Sequence, residues 1–231
     1  MTSVLAVRHG QSIPIGHFGE AAMRAGVAVD EVMLSDGERR PPASEYDGIA
    51  VFGGSMGAYD TESHPWLRGE KVWLRTAVEA GIPVLGICLG CQLLADALGG
   101  SASLAEGGPE IGYFLPVRTT SGLDDPVLRH LDRPVPVWHQ DTWELPPGGM
   151  LLAASDRHPH AFRLGSAVGI QSHPEADADV VAGWIASEGT AHFEHAGVDP
   201  DAFISSIVAA GDEQREMAVR LFGAWLDGLG T

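Results

Sequence analysis

The 231 residues carry 14 Lys and Arg against 31 Asp and Glu, a formal charge of −17 at pH 7. That balance excludes nucleic acid as an expected partner, because neutralising phosphate takes clustered cations. The two cysteines cannot build a disulfide scaffold, no apolar run approaches the ~18 residues of a membrane span, and the opening residues carry no basic leader, so a cytoplasmic protein is expected.

Short apolar runs at 4–7, 29–34, 49–52 and 84–87 read as parallel strands, mostly buried. Helical stretches lie among them at 20–25 and 66–80, and a third follows at 92–98. This alternation predicts an α/β fold, doubly wound, with a mostly parallel sheet and helices on both faces. Beyond residue 112 the pattern changes. Strand-like segments at 113–119, 135–138, 150–154 and 161–164 are separated by Pro/Gly turns such as 146–149, which predicts antiparallel strands or a sheet extension. Residues 167–172 read as a last strand. From residue 176 the pattern is mostly helical, with Met217, Leu221 and Trp225 recurring every four positions as a core-facing stripe. The stretch 187–200 reads as a mobile connection. With no internal repeat, one domain spanning 1–231 is expected, carrying a helical C-terminal extension at about 176–231.

The chemistry starts at Pro83-Val84-Leu85-Gly86-Ile87-Cys88-Leu89-Gly90-Cys91-Gln92. A strand stops at Cys88 and a helix follows, with Gly86 and Gly90 flanking the junction. That is the pattern of a nucleophile elbow, and a helix N-terminus under a cysteine favours the reactive thiolate. A cysteine nucleophile needs a base, and the base needs an orienting group. Of the ten histidines, His173 in Gln171-Ser172-His173-Pro174-Glu175 answers both needs. It follows a strand, Pro174 biases it toward an extended conformation, and in such a segment Glu175 shares its face. A third piece is the loop Gly53-Gly54-Ser55-Met56-Gly57 after the third strand. It can aim a backbone N–H at a developing oxyanion, with a second from Leu89.

The spacing Gly86-x-Cys88-x-Gly90-x-Gln92 followed by His173-Pro174-Glu175 resembles the signature of the class I (triad) glutamine amidotransferases. Further segments are similar to stand-alone relatives of the amidotransferase domain of guanosine monophosphate synthase: Glu110-Ile111-Gly112, Trp138-His139-Gln140-Asp141, Leu145-Pro146-Pro147-Gly148 and Ala161-Phe162-Arg163. The resemblance implies a flavodoxin-like fold and attack by Cys88 on the side-chain amide of glutamine. His173 would shuttle the proton, Glu175 would orient it, and the Gly54 and Leu89 amides would hold the oxyanion. Gln92, Gln140 and Asp141 would bind the substrate. It implies no cofactor. Two positions depart from the family pattern, Ser55 where a proline is common and His160 where a glutamine is common.

What remains after Glu175 is too short for a synthetase, and there is no phosphate-binding Gly-x-x-x-x-Gly-Lys loop. The expected function is release of ammonia from glutamine for a partner synthetase. The alternative is a stand-alone hydrolase of γ-glutamyl amides. Two rival signals are weaker. Cys88-Leu89-Gly90-Cys91 is also a redox-type C-x-x-C, but that reading leaves Gln92, His173 and Glu175 unused. Arg8-His9-Gly10 after the first strand resembles a histidine-phosphatase signature without its second His-Gly. His158-Pro159-His160 is the tight histidine pair; with no cysteine at ligand spacing it reads as a solvated turn, and no metal is expected.

Overall fold

The structure, a computed structural model, describes residues 1–34 and 39–230; Thr231, the end of the expected extension, lies outside them. The strands in chain order are β1 (Ser3–Arg8), β2 (Ala28–Met33), β3 (Gly48–Val51), β4 (Val84–Ile87), β5 (Ser101–Leu104), β6 (Glu110–Phe114), β7 (Val117–Arg118), β8 (Val135–His139), β9 (Asp141–Glu144), β10 (Met150–Ala154), β11 (Pro159–Leu164) and β12 (Ala167–Ile170). The α-helices are α1 (His17–Ala25), α2 (Trp66–Glu79), α3 (Leu89–Ala97), α4 (Thr120–Asp124), α5 (Ala178–Glu188), α6 (Ala191–Ala196) and α7 (Pro200–Asp227).

An eight-stranded sheet runs β2-β1-β3-β4-β12-β11-β10-β7. From β2 to β12 neighbours are parallel; β11, β10 and β7 extend the sheet antiparallel. The chain reverses its winding direction between β1 and β3, so a crevice opens at the C-terminal ends of the parallel strands. Successive side chains on these strands feed two cores. Val4 and Ala6 of β1 pack with α1 and α7 on one face, and Leu5 and Val7 pack with α2 and α3 on the other. Burial on both faces is why β1, β3 and β4 are almost continuously apolar, whereas β2, at the sheet edge, carries the exposed Asp30 and Glu31. The stripe on α7 packs as predicted: Met217, Leu221 and Trp225 are buried, and Phe18 of α1 meets Phe222 edge-on at 5.5 Å.

Three segments differ from expectation. The run 113–119 splits at Leu115-Pro116; β6 pairs with β8 in a separate two-stranded sheet, and β7 joins the edge of the main sheet. Proline lacks the N–H that a continuous ladder needs. The pair β5-β9 had no sequence signal, because β5 is short, small-residue and partly exposed. The stretch 187–200 is not a bare connection: α6 lies within it, and Phe193 is fully buried against Trp138 at 4.8 Å between ring centroids. Within α7, Gly211 breaks the helical backbone with φ 44°. Among the described residues no helix is long and apolar enough to cross a membrane.

Candidate active site

Cys88 stands alone between the end of β4 and the start of α3. It is the one non-glycine among the described residues with positive φ, at 52°. Such a backbone persists only where its surroundings over-determine it. Here the Cys88 N–H donates to the Ile170 carbonyl at 2.9 Å, and its carbonyl accepts from Gln92 N–H at 3.1 Å. A Cβ at Gly86 would come within 2.5 Å of the Gly90 carbonyl, so the strand and the first helical turn touch directly.

Strand β12, beside β4, ends at Ile170 and delivers His173 next to this turn. The His173 backbone N–H donates to the Pro136 carbonyl, and its Nδ1 donates to Glu175 Oε1 at 2.8 Å. Both side chains are buried, with Trp184 packed on the imidazole at 4.8 Å. Burial alone would lower the pKa of His173. The negative charges of Cys88 and Glu175 and hydrogen bonds to both outweigh it and raise the pKa well above the usual histidine value. With Nδ1 given to Glu175, Nε2 is left for Cys88.

The two cysteines belong to different surroundings. Cys88 groups with the α1/α7 core and opens to the cleft, while Cys91 lies fully buried in the α2/α3 core. Burial, with the nearby Cys88, pushes the Cys91 thiol well up, which keeps it protonated and inert. Both cysteines are free.

A cleft is lined by Gly54, Ser55, Cys88, Gln92, Gln140 and Asp141 among others. A second lobe shares Gly54 and Cys88 and reaches past His173 along Ile13, Trp138, Trp184 and Glu188. All the side chains selected from the sequence for substrate binding therefore meet at one opening. Glu175 stands behind His173 rather than in the cleft, and Leu89 offers its backbone at the first position of α3. The Gly53-Gly54 segment is pressed close: a Cβ on Gly54 would lie 2.6 Å from Leu89 Cδ2 and 2.9 Å from the His9 Cβ.

Three contributors were missed at the sequence level. Gln171 Nε2 lies 3.7 Å from Cys88 Sγ, and its Oε1 accepts from Gln92 Nε2 at 3.3 Å. The i, i+2 relation to His173 was the available signal. Tyr59 donates to Asp141 Oδ1 at 2.8 Å, a contact across the fold that sequence cannot place. Burial raises the Asp141 pKa, and the Tyr59 hydrogen bond works against that rise. The third is Glu110. It accepts from His139 Nε2 at 3.1 Å, from His160 Nε2 at 2.8 Å and from Ser155 at 2.8 Å, while His139 Nδ1 lies 2.8 Å from the Asp141 carbonyl. Burial works to raise the Glu110 pKa, but these hydrogen bonds hold it well below the usual carboxylate range. His160 is thus a buried residue of β11, not part of a solvated turn, because β11 lies inside the main sheet between β12 and β10. Glu110, His139 and His160 are also the cluster whose ligand atoms, all within 4.8 Å, could hold a cation. Their mutual hydrogen bonds already brace the Gln140-Asp141 turn.

Residues 15–181 match the family model described as glutamine amidotransferase class-I. The glutamine amidotransferase-like protein YfeJ of Salmonella typhimurium is 37% identical over 157 residues, 64% of this chain and 65% of its own length. The glutamine-hydrolysing GMP synthase of Thermomicrobium roseum is 37% identical over 55% of this chain and 23% of its own. The chain therefore spans just under two thirds of the first relative and less than a quarter of the second. One subunit of the glutamine-hydrolysing GMP synthase of Halobacterium salinarum is 31% identical over 76% of this chain and 90% of its own. A solved glutamine amidotransferase from Thermotoga maritima has a TM-score of 0.87 at 28% identity, covering 98% of this chain and 99% of that one. With a family match across most of its length and a fold shared from end to end with such an enzyme, the chain belongs to the class-I glutamine amidotransferase family.

Proposed function

We propose that the protein hydrolyses the side-chain amide of glutamine with a Cys88-His173-Glu175 triad and releases ammonia for a partner synthetase. In this reading the Cys88 thiolate attacks the amide carbon, and the oxyanion that forms takes hydrogen bonds from the Gly54 and Leu89 N–H groups. His173 Nε2–H protonates the leaving nitrogen, the C–N bond breaks, and ammonia departs from a thioester. Water then attacks the thioester, giving its proton to His173, and glutamate leaves as the C–S bond breaks. Glu175 holds the ring through Nδ1 and stabilises its cation. Gln92, Gln140 and the Asp141 carboxylate receive the amino-acid head group. The observation that carries the reading is the buried His173, bonded at 2.8 Å to Glu175, facing a cysteine at a strained strand-to-helix turn. A separate partner chain suits a relative that is itself named as one subunit of a GMP synthase. Free cysteines suit a cytoplasmic setting.

A second reading has its own observation. The His173 side of Cys88 is where a leaving group must sit to be protonated, and that lobe is walled mainly by Ile13, Trp138 and Trp184, with Glu188 the acidic residue among them. Ammonia has no use for apolar walls, whereas an N-substituted γ-glutamyl amide does. Steady-state hydrolysis of glutamine and of γ-glutamyl-4-nitroanilide by the purified chain decides. Slow glutaminase activity with little anilide hydrolysis supports the ammonia donor. A kcat/KM at least tenfold higher on the anilide supports the stand-alone hydrolase. Inactivity on both defeats the triad reading.

A further inference from the structure

The Arg8-His9-Gly10 motif has no part in the chemistry above, and its phosphatase reading lacks support. The His9 side chain is wholly buried, both ring nitrogens are engaged, and Trp66 stacks on the ring at 5.5 Å with planes 11° apart. A phosphoryl group has no approach to it. What His9 does touch is the loop beside Cys88. Its Nδ1 lies 3.0 Å from the Phe52 carbonyl and 3.1 Å from the Gly53 carbonyl. Its Nε2 lies 3.1 Å and 3.3 Å from the two oxygens of Glu70, one turn into α2. Oxygens thus face both ring nitrogens, and together Glu70 and the two carbonyls outweigh burial and favour the protonated ring.

A trans peptide is planar, with its C=O and N–H pointing in opposite directions. With the Gly53 carbonyl turned to His9, the Gly54 N–H is turned away from it. Gly53 itself borders the site on its other side: a Cβ there would lie 3.5 Å from His173 Cε1 and 3.8 Å from Cys88 Cβ. A Gly-Gly peptide is the easiest of all to flip, because both flanking residues tolerate either sign of φ. A flip would swap the N–H for a carbonyl oxygen and turn a donor for the oxyanion into a repulsive acceptor. Burying an ion pair is costly and rarely gains stability over apolar packing, so a pair placed under this peptide calls for a positional reason.

We propose that His9, anchored by Glu70, is a positioning residue that locks the Gly53-Gly54 peptide with its N–H toward Cys88 and thereby forms half of the oxyanion hole. The proposal rests on Cys88 being an acylated nucleophile, and its test separates acylation from every other property of the site. Acylation of the full chain by 4-nitrophenyl acetate passes through an oxyanion; alkylation of Cys88 by iodoacetamide does not. In the apolar replacement His9→Phe/Glu70→Leu, the acylation rate falls about 10²–10³-fold, the size of a lost oxyanion donor, while alkylation stays within about threefold of the native rate. His9→Asn, whose side-chain amide can take the Nδ1 position on the Gly53 carbonyl, retains acylation within about tenfold. If the double variant does not fold, Glu70→Leu alone carries the test, with a loss of about tenfold in acylation only. Unchanged acylation, a parallel loss of acylation and alkylation, or an Asn variant no better than the apolar one overturns the proposal. So does a native chain that alkylates but is not acylated. A native chain that is acylated by the ester yet inert toward glutamine and γ-glutamyl amides would defeat the proposed substrate and leave the lock to be judged on the ester alone.

Discussion

Gly90 lies so close to Val51 that any side chain at position 90 would overlap the carbonyl of 51. The first turn of α3 therefore leans on the backbone of β3, and that contact holds Cys88 in its positive-φ turn from outside. Gly90→Ala forces a methyl into backbone that cannot rotate away. Overpacking of this kind costs about 1–3 kcal/mol. Urea unfolding should show a lower midpoint at unchanged slope, and Cys88 should alkylate more slowly as the turn relaxes. An unchanged midpoint and alkylation rate would show the turn to be held by other means.

The two cysteines should separate cleanly. Cys88→Ala abolishes amide hydrolysis, while Cys91→Ala, deep in the opposite core, leaves most of it and costs some stability. A glutamine-analogue chloroketone, followed by peptide mass spectrometry, should label Cys88 and leave Cys91 free. Equal loss of activity in both variants would reopen the redox reading.

Removing the base and removing its orienting group should differ in degree. His173→Ala loses about 10²–10⁴-fold in kcat, the range for a positioned general base. Glu175→Gln keeps an acceptor for Nδ1–H and loses less, because the carboxylate orients and does not carry the proton. Single-turnover kinetics on the preferred amide measures both. A Glu175→Gln variant as inactive as His173→Ala would contradict the orienting role.

Tyr59 offers a test of binding without chemistry. Tyr59→Phe removes the hydrogen bond to Asp141 and leaves the reacting groups untouched. A hydrogen bond to a charged group contributes about 1.5 kcal/mol, so KM should rise about tenfold with kcat nearly unchanged. A fall in kcat at constant KM would place Asp141 at the reacting centre instead.

The His9-Glu70 pair predicts a pH dependence of stability. Burial alone would lower the His9 pKa, but Glu70 facing the ring and the Phe52 and Gly53 carbonyls raise it. The folded chain thus keeps a proton that the unfolded chain releases near pH 6.5. The stabilisation is full below that pH and is lost as pH rises through the raised value, at up to about 1.4 kcal/mol per pH unit. The stability difference between the native chain and His9→Phe/Glu70→Leu, read by urea unfolding, should therefore shrink as pH rises from about 6.5 to 8, because the other histidines contribute equally to both. Equal slopes in the two would mean that His9 is neutral when folded.

By itself the sequence determined the parallel strands, the turn at Cys88 and the pair His173 and Glu175, because each is a local pattern. Continuous apolar runs mark strands buried on both faces, and glycines bracket a tight turn. His173-Pro174-Glu175 is a turn rather than the expected extended segment, closed by the Ala176 N–H on the His173 carbonyl at 3.2 Å, and it still sets Glu175 against the imidazole. The family resemblance added Gln92, Gln140 and Asp141, which the fold gathers at one opening. Only the tertiary structure decided which distant groups meet. Tyr59 reaches Asp141 across 82 positions, Glu110 gathers His139 and His160, and His9 spans from β1 to the β3 loop and to Glu70 on α2. These contacts join elements that are separate in sequence and share no periodicity. Burial made the difference: it turned His160 from an expected turn residue into a partner of Glu110, and His9 from an apparent catalytic motif into a brace beneath the site.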